Sequence, residues 1–170
     1  IQNFGLHFQK DFMTRPFIND EILSKIFDKK ADFVKETFLQ NSHDDIWEMR
    51  PEYDTQRKVE AWFAGKKDEE SVNMREGLYS LISNVLFVPD RKNPSTYHPR
   101  IAVQSDFIFD RLSDHEKDAF NRLYNHYYYQ RHNQFWYHEA MKKLPMLTQC
   151  TSMLVCGEDL GMVPDCVPWV

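Results

Sequence analysis

The chain has 170 residues, a formal net charge of −5 and 42% hydrophobic residues. That length is sufficient for a globular domain with a core of its own. Proteins that bind nucleic acid or anionic membranes generally carry an excess of Lys and Arg, which is absent here. The composition therefore argues against nucleic acid and membrane as partners. The sequence also contains neither an apolar run of membrane-spanning length nor a signal peptide at its start.

The three cysteines, Cys150, Cys156 and Cys166, fall within the last 21 positions and form no C-x-x-C pair. This pattern predicts free thiols in a reducing cytoplasm rather than a zinc or redox site. The chain starts at Ile1 and stops on the apolar run that ends at Val170. We therefore expect it to be a piece of a longer protein.

The first half of the chain reads as short helices. Asn19-Asp20-Glu21 predicts a helix start, because a capping side chain is followed by acids in the first turn. That helix is expected to break near residues 28–30, and residues 41–53 are expected to form a loop. A second start is predicted at Asp54-Thr55, with the helix ended by Gly65.

Further along, residues 66–73 are charged and are interpreted as a flexible connection. Helical spacing of apolar residues from Met74 to Val85 predicts the next helix. Residues 86–88 are expected to be extended and residues 91–100 to be loop. The strongest prediction is one helix from Ser113 to about Lys142, which opens with the capping-box pattern Ser-Asp-His-Glu.

A short apolar run, residues 153–156, follows that helix and is interpreted as a buried strand of a parallel sheet. Glu158 would lie at the carboxyl end of the strand, where sites gather in α/β folds. Gly157 and Gly161 permit tight backbone paths on either side. A carboxyl in a partly apolar pocket there could protonate a glycosidic oxygen. A helix cap or solvated turn is the alternative reading of the acidic pair, with Asp159 as its more structural member.

The stretch MLVCGEDLGMVP, residues 153–164, resembles the acid/base motif of the 4-α-glucanotransferases, the amylomaltase or disproportionating-enzyme family of (β/α)8 barrels. The resemblance implies that Glu158 is the general acid/base. Upstream stretches resemble the plant-cytosolic and Bacteroides-type branch, which carries a long helical insertion before that Glu: MTRPFI (13–18), YHPRI (97–101), RLSDHEKDAFNRLYNHYYYQRHNQFW (111–136) and AMKKLP (140–145).

The resemblance implies a mainly α fold class: a helical insertion plus a small fragment of a (β/α)8 barrel with one or two short strands. Residues 1–110 would form the insertion, and residues 111–170 the long helix, the barrel strand and the acid/base loop. The family's nucleophile and stabiliser motifs, of the R-I-D-H and T-H-D types, do not occur in the sequence. At most one of three catalytic carboxylates is therefore present, and the chain alone is expected to be inactive.

In a complete enzyme the resemblance implies double displacement between α-glucan or maltose donors and acceptor sugars, in the cytoplasm, without metal or organic cofactor. Trp47 and Tyr53 are the best candidates for exposed sugar platforms, and Asp159 is a further candidate for substrate binding. His126, His132 and His138 recur every six residues, which does not align them as metal ligands on a helix. The alternative function is a non-catalytic helical module that binds glucan or docks a protein.

Overall fold

The computed structural model describes residues 1–43, 45–158 and 161–169. The chain divides into a core unit, Phe8–Ser113, and a C-terminal unit, in which Ile1–His7 joins Asp114–Val170. Both units are built mostly of helices, so the mainly α fold class predicted from the sequence is confirmed. Whether part of the chain completes a barrel stays a prediction.

The core unit contains short helices and two small antiparallel sheets. Its elements in chain order are α1 Lys10–Thr14, β1 Ile18–Asn19, α2 Asp20–Phe27, α3 Ala31–Phe38, β2 Leu39–His43, β3 Ile46–Met49, α4 Gln56–Trp62, α5 Glu69–Ser83, β4 Phe87–Pro89, β5 Tyr97–Pro99 and α6 Phe107–Asp110. Single 3₁₀ turns cover Asp28–Lys30 and Val103–Ser105.

Helix α2 begins and ends where the sequence predicts. The Asn19 side chain accepts a hydrogen bond of 2.9 Å from the Ile22 amide, which satisfies one of the free donors of the first turn. Asp28 follows the helix with φ of 48°, a left-handed value that stops the α2 hydrogen-bonding pattern. The predicted break at residues 28–30 is therefore confirmed.

The predicted loop over residues 41–53 is wrong, because most of it forms strands. β3 pairs with β2 on one side and β1 on the other, with Leu39 opposite Met49 and Ile18 opposite Trp47. The sequence of β2, LQNSH, has little intrinsic strand preference. Pairing with β3 stabilises it, and that partner cannot be read from the local pattern.

Helix α4 is confirmed, with Thr55 as its cap and Gly65 at φ of 83° just beyond it. The flexible connection predicted for residues 66–73 is wrong, because α5 already begins at Glu69. Asp68 caps it by accepting a hydrogen bond of 2.8 Å from the Ser71 amide. Two residues of this charged run, Glu69 and Glu70, therefore lie in the first turn of a helix, where acidic side chains are favourable.

A buried apolar cluster holds the core unit together. Phe38 lies at its centre, with ring centroids 4.9 Å from those of both Tyr53 and Trp62. The cluster contains Ile18, Ile22, Leu23, Phe27, Val34, Phe38, Leu39, Val59, Phe63, Met74, Leu78 and Leu81.

Asn84 is a buried polar residue that ties distant segments of the core unit together. Its amide nitrogen donates to the Phe17 carbonyl, and its amide oxygen accepts from the Ile108 amide, each at 2.8 Å. β4, predicted as an extended piece, pairs with β5, so the end of the loop predicted over residues 91–100 is a strand.

The C-terminal unit contains α7 Asp114–Asn125, a π-helical turn His126–Gln130, α8 Asn133–Met141 and α9 Leu144–Gln149, with 3₁₀ turns at Gln2–Phe4 and Val167–Trp169. The single helix predicted from Ser113 to Lys142 is therefore interrupted. A π turn adds a residue to the helical repeat and rotates the side chains beyond it. Phe120 before the turn is buried, whereas Phe135 on α8 beyond it is exposed. Among the described residues, no helix is both long and apolar enough to cross a membrane.

Candidate active site

Glu158 lies in an extended, irregular stretch of the C-terminal unit, and its side chain is exposed. The strand predicted over residues 153–156 does not form in this chain. Met153 is 75% exposed and Leu154 is 89% exposed, whereas a strand of a parallel sheet is covered on both faces. A single strand is not stable without hydrogen-bonded neighbours. The apolar enclosure expected around Glu158 is accordingly not present either.

Of the two glycines, Gly161 uses the backbone freedom that the sequence predicts for it. Gly161 has φ of 78°, in the left-handed region that a residue with a Cβ adopts only at a cost. Asp159, the proposed second member of the site, lies outside the described residues.

The tail beyond the acid/base stretch is fixed to the helices of the same unit. The Asp165 amide donates a hydrogen bond of 3.0 Å to the carbonyl of Tyr129, within the π turn. Cys166 next to it is only 2% exposed, whereas Cys150 and Cys156 are exposed free thiols. Glu158 is thus carried on a segment anchored at the end of α9 on one side and at Asp165 on the other.

Trp47 belongs to the core unit, on β3, and is partly buried. Its indole nitrogen donates a hydrogen bond of 2.7 Å to Asp20, and the Lys35 ammonium lies 5.3 Å from its ring centroid. Hydrogen bonds from Lys35, above all, and from Trp47 hold the pKa of Asp20 below its ordinary value. These contacts fix the indole plane at the edge of a groove.

That groove has a volume of about 530 Å³ and combines apolar and charged side chains. Its lining comprises Asp11, Phe12, Arg15, Pro16, Phe17, Ile46, Trp47, Glu48, Met49 and Asp54. Aromatic rings beside carboxylates suit a neutral sugar, since rings stack on C–H faces and carboxylates accept from hydroxyls. Tyr53 is not part of the lining and instead contacts Phe38 edge-on.

The histidines of the described residues do not belong to a metal site. Among the described residues, no group of three His, Cys, Asp or Glu side chains is arranged to hold a metal ion. The Arg131 guanidinium lies 5.1 Å from the Tyr127 ring centroid.

Sequence reasoning missed an apolar cavity of about 540 Å³ in the C-terminal unit. It is lined by Tyr128, Trp136, Ala140, Leu144, Met162, Pro164, Cys166 and Val167. Burial raises the pKa of Tyr128 to about 12, so its phenol stays neutral. The only sequence signal was the apolar character of the last residues, which by itself did not reveal a cavity.

Comparisons with known proteins agree with the resemblance in the sequence. The family model described as 4-alpha-glucanotransferase matches residues 26–170. A curated relative from Oryza sativa subsp. japonica, named 4-alpha-glucanotransferase DPE2, is 31% identical over 162 residues, which is 92% of this chain but 17% of the relative. The chain thus spans about a sixth of that relative's length, and no solved structure matches it. Because the family match covers most of the chain, including Glu158, the chain belongs to the 4-alpha-glucanotransferase family.

Proposed function

We propose that this chain is part of the catalytic region of a retaining 4-α-glucanotransferase. The whole protein would transfer α-1,4-glucosyl units from maltose, maltodextrin or glucan donors to acceptor sugars, in the cytoplasm and without a metal or organic cofactor. The observation that carries the proposal is the CGEDLG stretch, residues 156–161, inside the matched family region.

Glu158 would act twice in the reaction. It first protonates the departing glucosyl oxygen while an Asp from outside these residues attacks the anomeric carbon. It then removes the proton from the acceptor hydroxyl, which attacks the covalent intermediate and regenerates the enzyme. A retaining mechanism needs that nucleophile about 5–5.5 Å from the acid/base, so the 170-residue chain alone is proposed to be inactive.

The accessory residues belong to the same proposal. Asp159 would bind substrate next to Glu158, and Trp47 and Tyr53 would provide aromatic contacts to glucan. Support for Trp47 comes from its position in the mixed apolar and acidic groove of the core unit. Tyr53 is a partly buried aromatic ring next to Phe38.

The acid/base role is tested by Glu158→Gln in the whole protein. General acid–base catalysis contributes about 10²–10⁴-fold, so maltose disproportionation should fall by that order. Glu139→Gln is the control, since Glu139 is a carboxylate of α8 paired with Lys142. That variant should keep the wild-type rate.

A second donor separates a catalytic role from a structural one. Fluoride leaves without protonation, so the loss in the first step should shrink when α-maltosyl fluoride replaces maltose and the initial burst of fluoride, before the second step limits turnover, is followed. An equal loss in that first step with both donors, or an unchanged rate with maltose, would show that Glu158 is not the acid.

The alternative proposal is a non-catalytic helical module that binds glucan or docks a protein. The groove of the core unit favours it, because a site of that size and lining could hold an oligosaccharide. If deletion of about residues 15–110 spares transfer but weakens glucan binding, the core unit is a binding module. Loss of both would indicate a structural role instead.

A further inference from the structure

We infer that the π turn His126–Gln130 positions the acid/base stretch, and that it does so through the backbone hydrogen bond between Tyr129 and Asp165. This hydrogen bond, together with the packing of Cys166 beside it, is called the tail anchor below. The inference deepens the proposed function and rests on it, because it concerns how Glu158 is held for proton transfer. It makes Asp165 a positioning residue that acts through its main chain.

The π turn supplies the acceptor of the tail anchor. The Arg131 amide donates a hydrogen bond of 2.7 Å to the His126 carbonyl five residues earlier, which is the π pattern. A helical segment leaves the carbonyls of its last turn without partners of its own, and Tyr129 lies in that turn. The Asp165 amide donates to the Tyr129 carbonyl at 3.0 Å. π turns inside helices occur frequently at functional sites.

Side-chain packing holds the tail, residues 161–169, against the same turn. Cys166 is 2% exposed, and it behaves as a small apolar side chain. It lines the apolar cavity of about 540 Å³ together with Tyr128 of the π turn and with Met162 and Pro164 of the tail. A directional hydrogen bond and apolar packing therefore act on the tail at neighbouring residues, which fixes its position relative to the π turn.

The tail anchor lies close to Glu158 along the chain. Only residues 159–164 separate Glu158 from Asp165. Within that segment Gly161 has φ of 78°, and the ring of Pro164 fixes its own φ and restricts the residue before it. These constraints limit the backbone paths between the two residues, so fixing Asp165 restricts where the Glu158 carboxyl lies. A misplacement of about 1 Å can reduce a catalytic rate by about 10²-fold.

The turn that contains Asp165 allows its amide to be removed while the turn is kept. The Val167 amide donates a hydrogen bond of 3.1 Å to the Pro164 carbonyl, which makes residues 164–167 a β-turn with Asp165 at its second position. Proline is favoured at that position because its φ matches the turn. Asp165→Pro therefore deletes the donor of the tail anchor. Asp165→Ala is the matched control, since it retains the amide and removes only an exposed side chain.

Maltose disproportionation by the whole protein measures the effect on catalysis. Asp165→Pro should lower kcat at least about tenfold and leave KM within about twofold, because a misplaced acid weakens the transition state and not the binding of the donor. Asp165→Ala should keep the wild-type kcat. Equal kcat values for Asp165→Pro and Asp165→Ala would overturn the inference.

The leaving group separates positioning of the acid from a general structural loss. With α-maltosyl fluoride the first step needs no proton, so the fluoride burst of Asp165→Pro should remain within about threefold of the wild-type burst. A smaller folded fraction would instead reduce the rates with both donors equally. An equal loss with maltose and with α-maltosyl fluoride would overturn the inference, because the tail anchor would then not act through Glu158.

The accessibility of Cys166 distinguishes failure of this inference from failure of the proposed function. N-ethylmaleimide labelling of Cys166 in the whole protein is followed by peptide mass spectrometry and does not depend on catalysis. Asp165→Pro should raise the labelling rate about fivefold or more, since the anchor then opens more often, whereas Asp165→Ala should not.

Unchanged labelling of Cys166 in Asp165→Pro would overturn the inference even where Glu158→Gln abolishes transfer. Faster labelling in Asp165→Pro, together with full activity of Glu158→Gln, would sustain the tail anchor. That result would overturn the catalytic role of Glu158 and, with it, the positioning role assigned to the anchor.

Discussion

The core unit and the C-terminal unit differ in how completely they bury their large apolar side chains. In the core unit, the side chains of Phe38, Leu78 and their neighbours are covered by elements of the same unit. The C-terminal unit buries Phe120 and Leu123 of α7, but beyond the π turn its large apolar side chains are mostly exposed. The comparison teaches that the core unit covers most of its large apolar side chains by itself, whereas the later half of the C-terminal unit leaves most of its own exposed.

The largest effect that would test this comparison is expected from matched phenylalanine truncations. Phe38→Ala removes a ring that is 0% exposed, and should lower the free energy of unfolding by about 3–5 kcal/mol. Phe135→Ala removes a ring that is 59% exposed, and should change it by no more than about 0.5 kcal/mol. Urea denaturation followed by circular dichroism measures both. If the two variants lost similar amounts of unfolding free energy, the two units would not differ in how well they bury their aromatic side chains.

A smaller contrast is expected from the same substitution at two glycines. A Cβ added at Gly77 in α5 would lie 2.5 Å from the Phe27 ring and 2.8 Å from the Ile26 side chain. The steric overlap should cost about 1–3 kcal/mol, whereas Ala in place of Gly within a helix gains about 1 kcal/mol. The net effect of Gly77→Ala should therefore be a loss of about 1 kcal/mol in the free energy of unfolding.

Gly157→Ala is the control for that experiment, because no atom of the described residues lies within 4 Å of the added carbon. We expect its midpoint of thermal unfolding to match the wild type, whereas that of Gly77→Ala falls. A stabilised Gly77→Ala variant would show that Phe27 can move aside, and that the core unit is less tightly packed than described.

The smallest expected effect is the response of the core unit to acid. The hydrogen bond from Lys35 lowers the pKa of Asp20. Its stabilisation is therefore complete above the ordinary value of about 3.9 and is lost as the pH falls through the lowered value of the folded state. Because about half of the Asp20 side chain is exposed to solvent, the pair contributes less than about 1 kcal/mol.

A double-mutant cycle isolates that contribution. Asp20→Asn should reduce the loss of stability between about pH 5 and pH 2, and Lys35→Gln should do the same. The double variant should show no further change if the two side chains act as a pair. Additive effects would assign the pH dependence to other carboxylates.

Local signals in the sequence predicted several elements correctly. The caps at Asn19 and Thr55 and the left-handed Gly65 depend on side-chain hydrogen bonds or backbone preferences within a few residues. The errors have a different origin. β2 exists because β3 lies beside it, and the π turn His126–Gln130 interrupts a sequence whose helical pattern is continuous. Neither partner nor register can be read from local spacing.

At the candidate site, too, local residue patterns were predictive, whereas contacts between distant segments were not. The residue pattern around Glu158 identified the family, and the match over residues 26–170 bears this out. The strand that the sequence predicts over residues 153–156 does not form, and its apolar side chains are exposed. The sequence predicts Trp47 only as an exposed aromatic candidate, whereas in the structure it is partly buried and contacts Asp20 and Lys35.

The sequence by itself determined the helix starts, the mainly helical class and the family, because each depends on residue identities close together in the chain. The tertiary structure decided which apolar side chains are covered. It separated a core unit packed around Phe38 from helices α8 and α9, whose large apolar side chains are mostly exposed. Burial depends on what packs against a side chain, and that is a property of distant segments rather than of the residue or its neighbours.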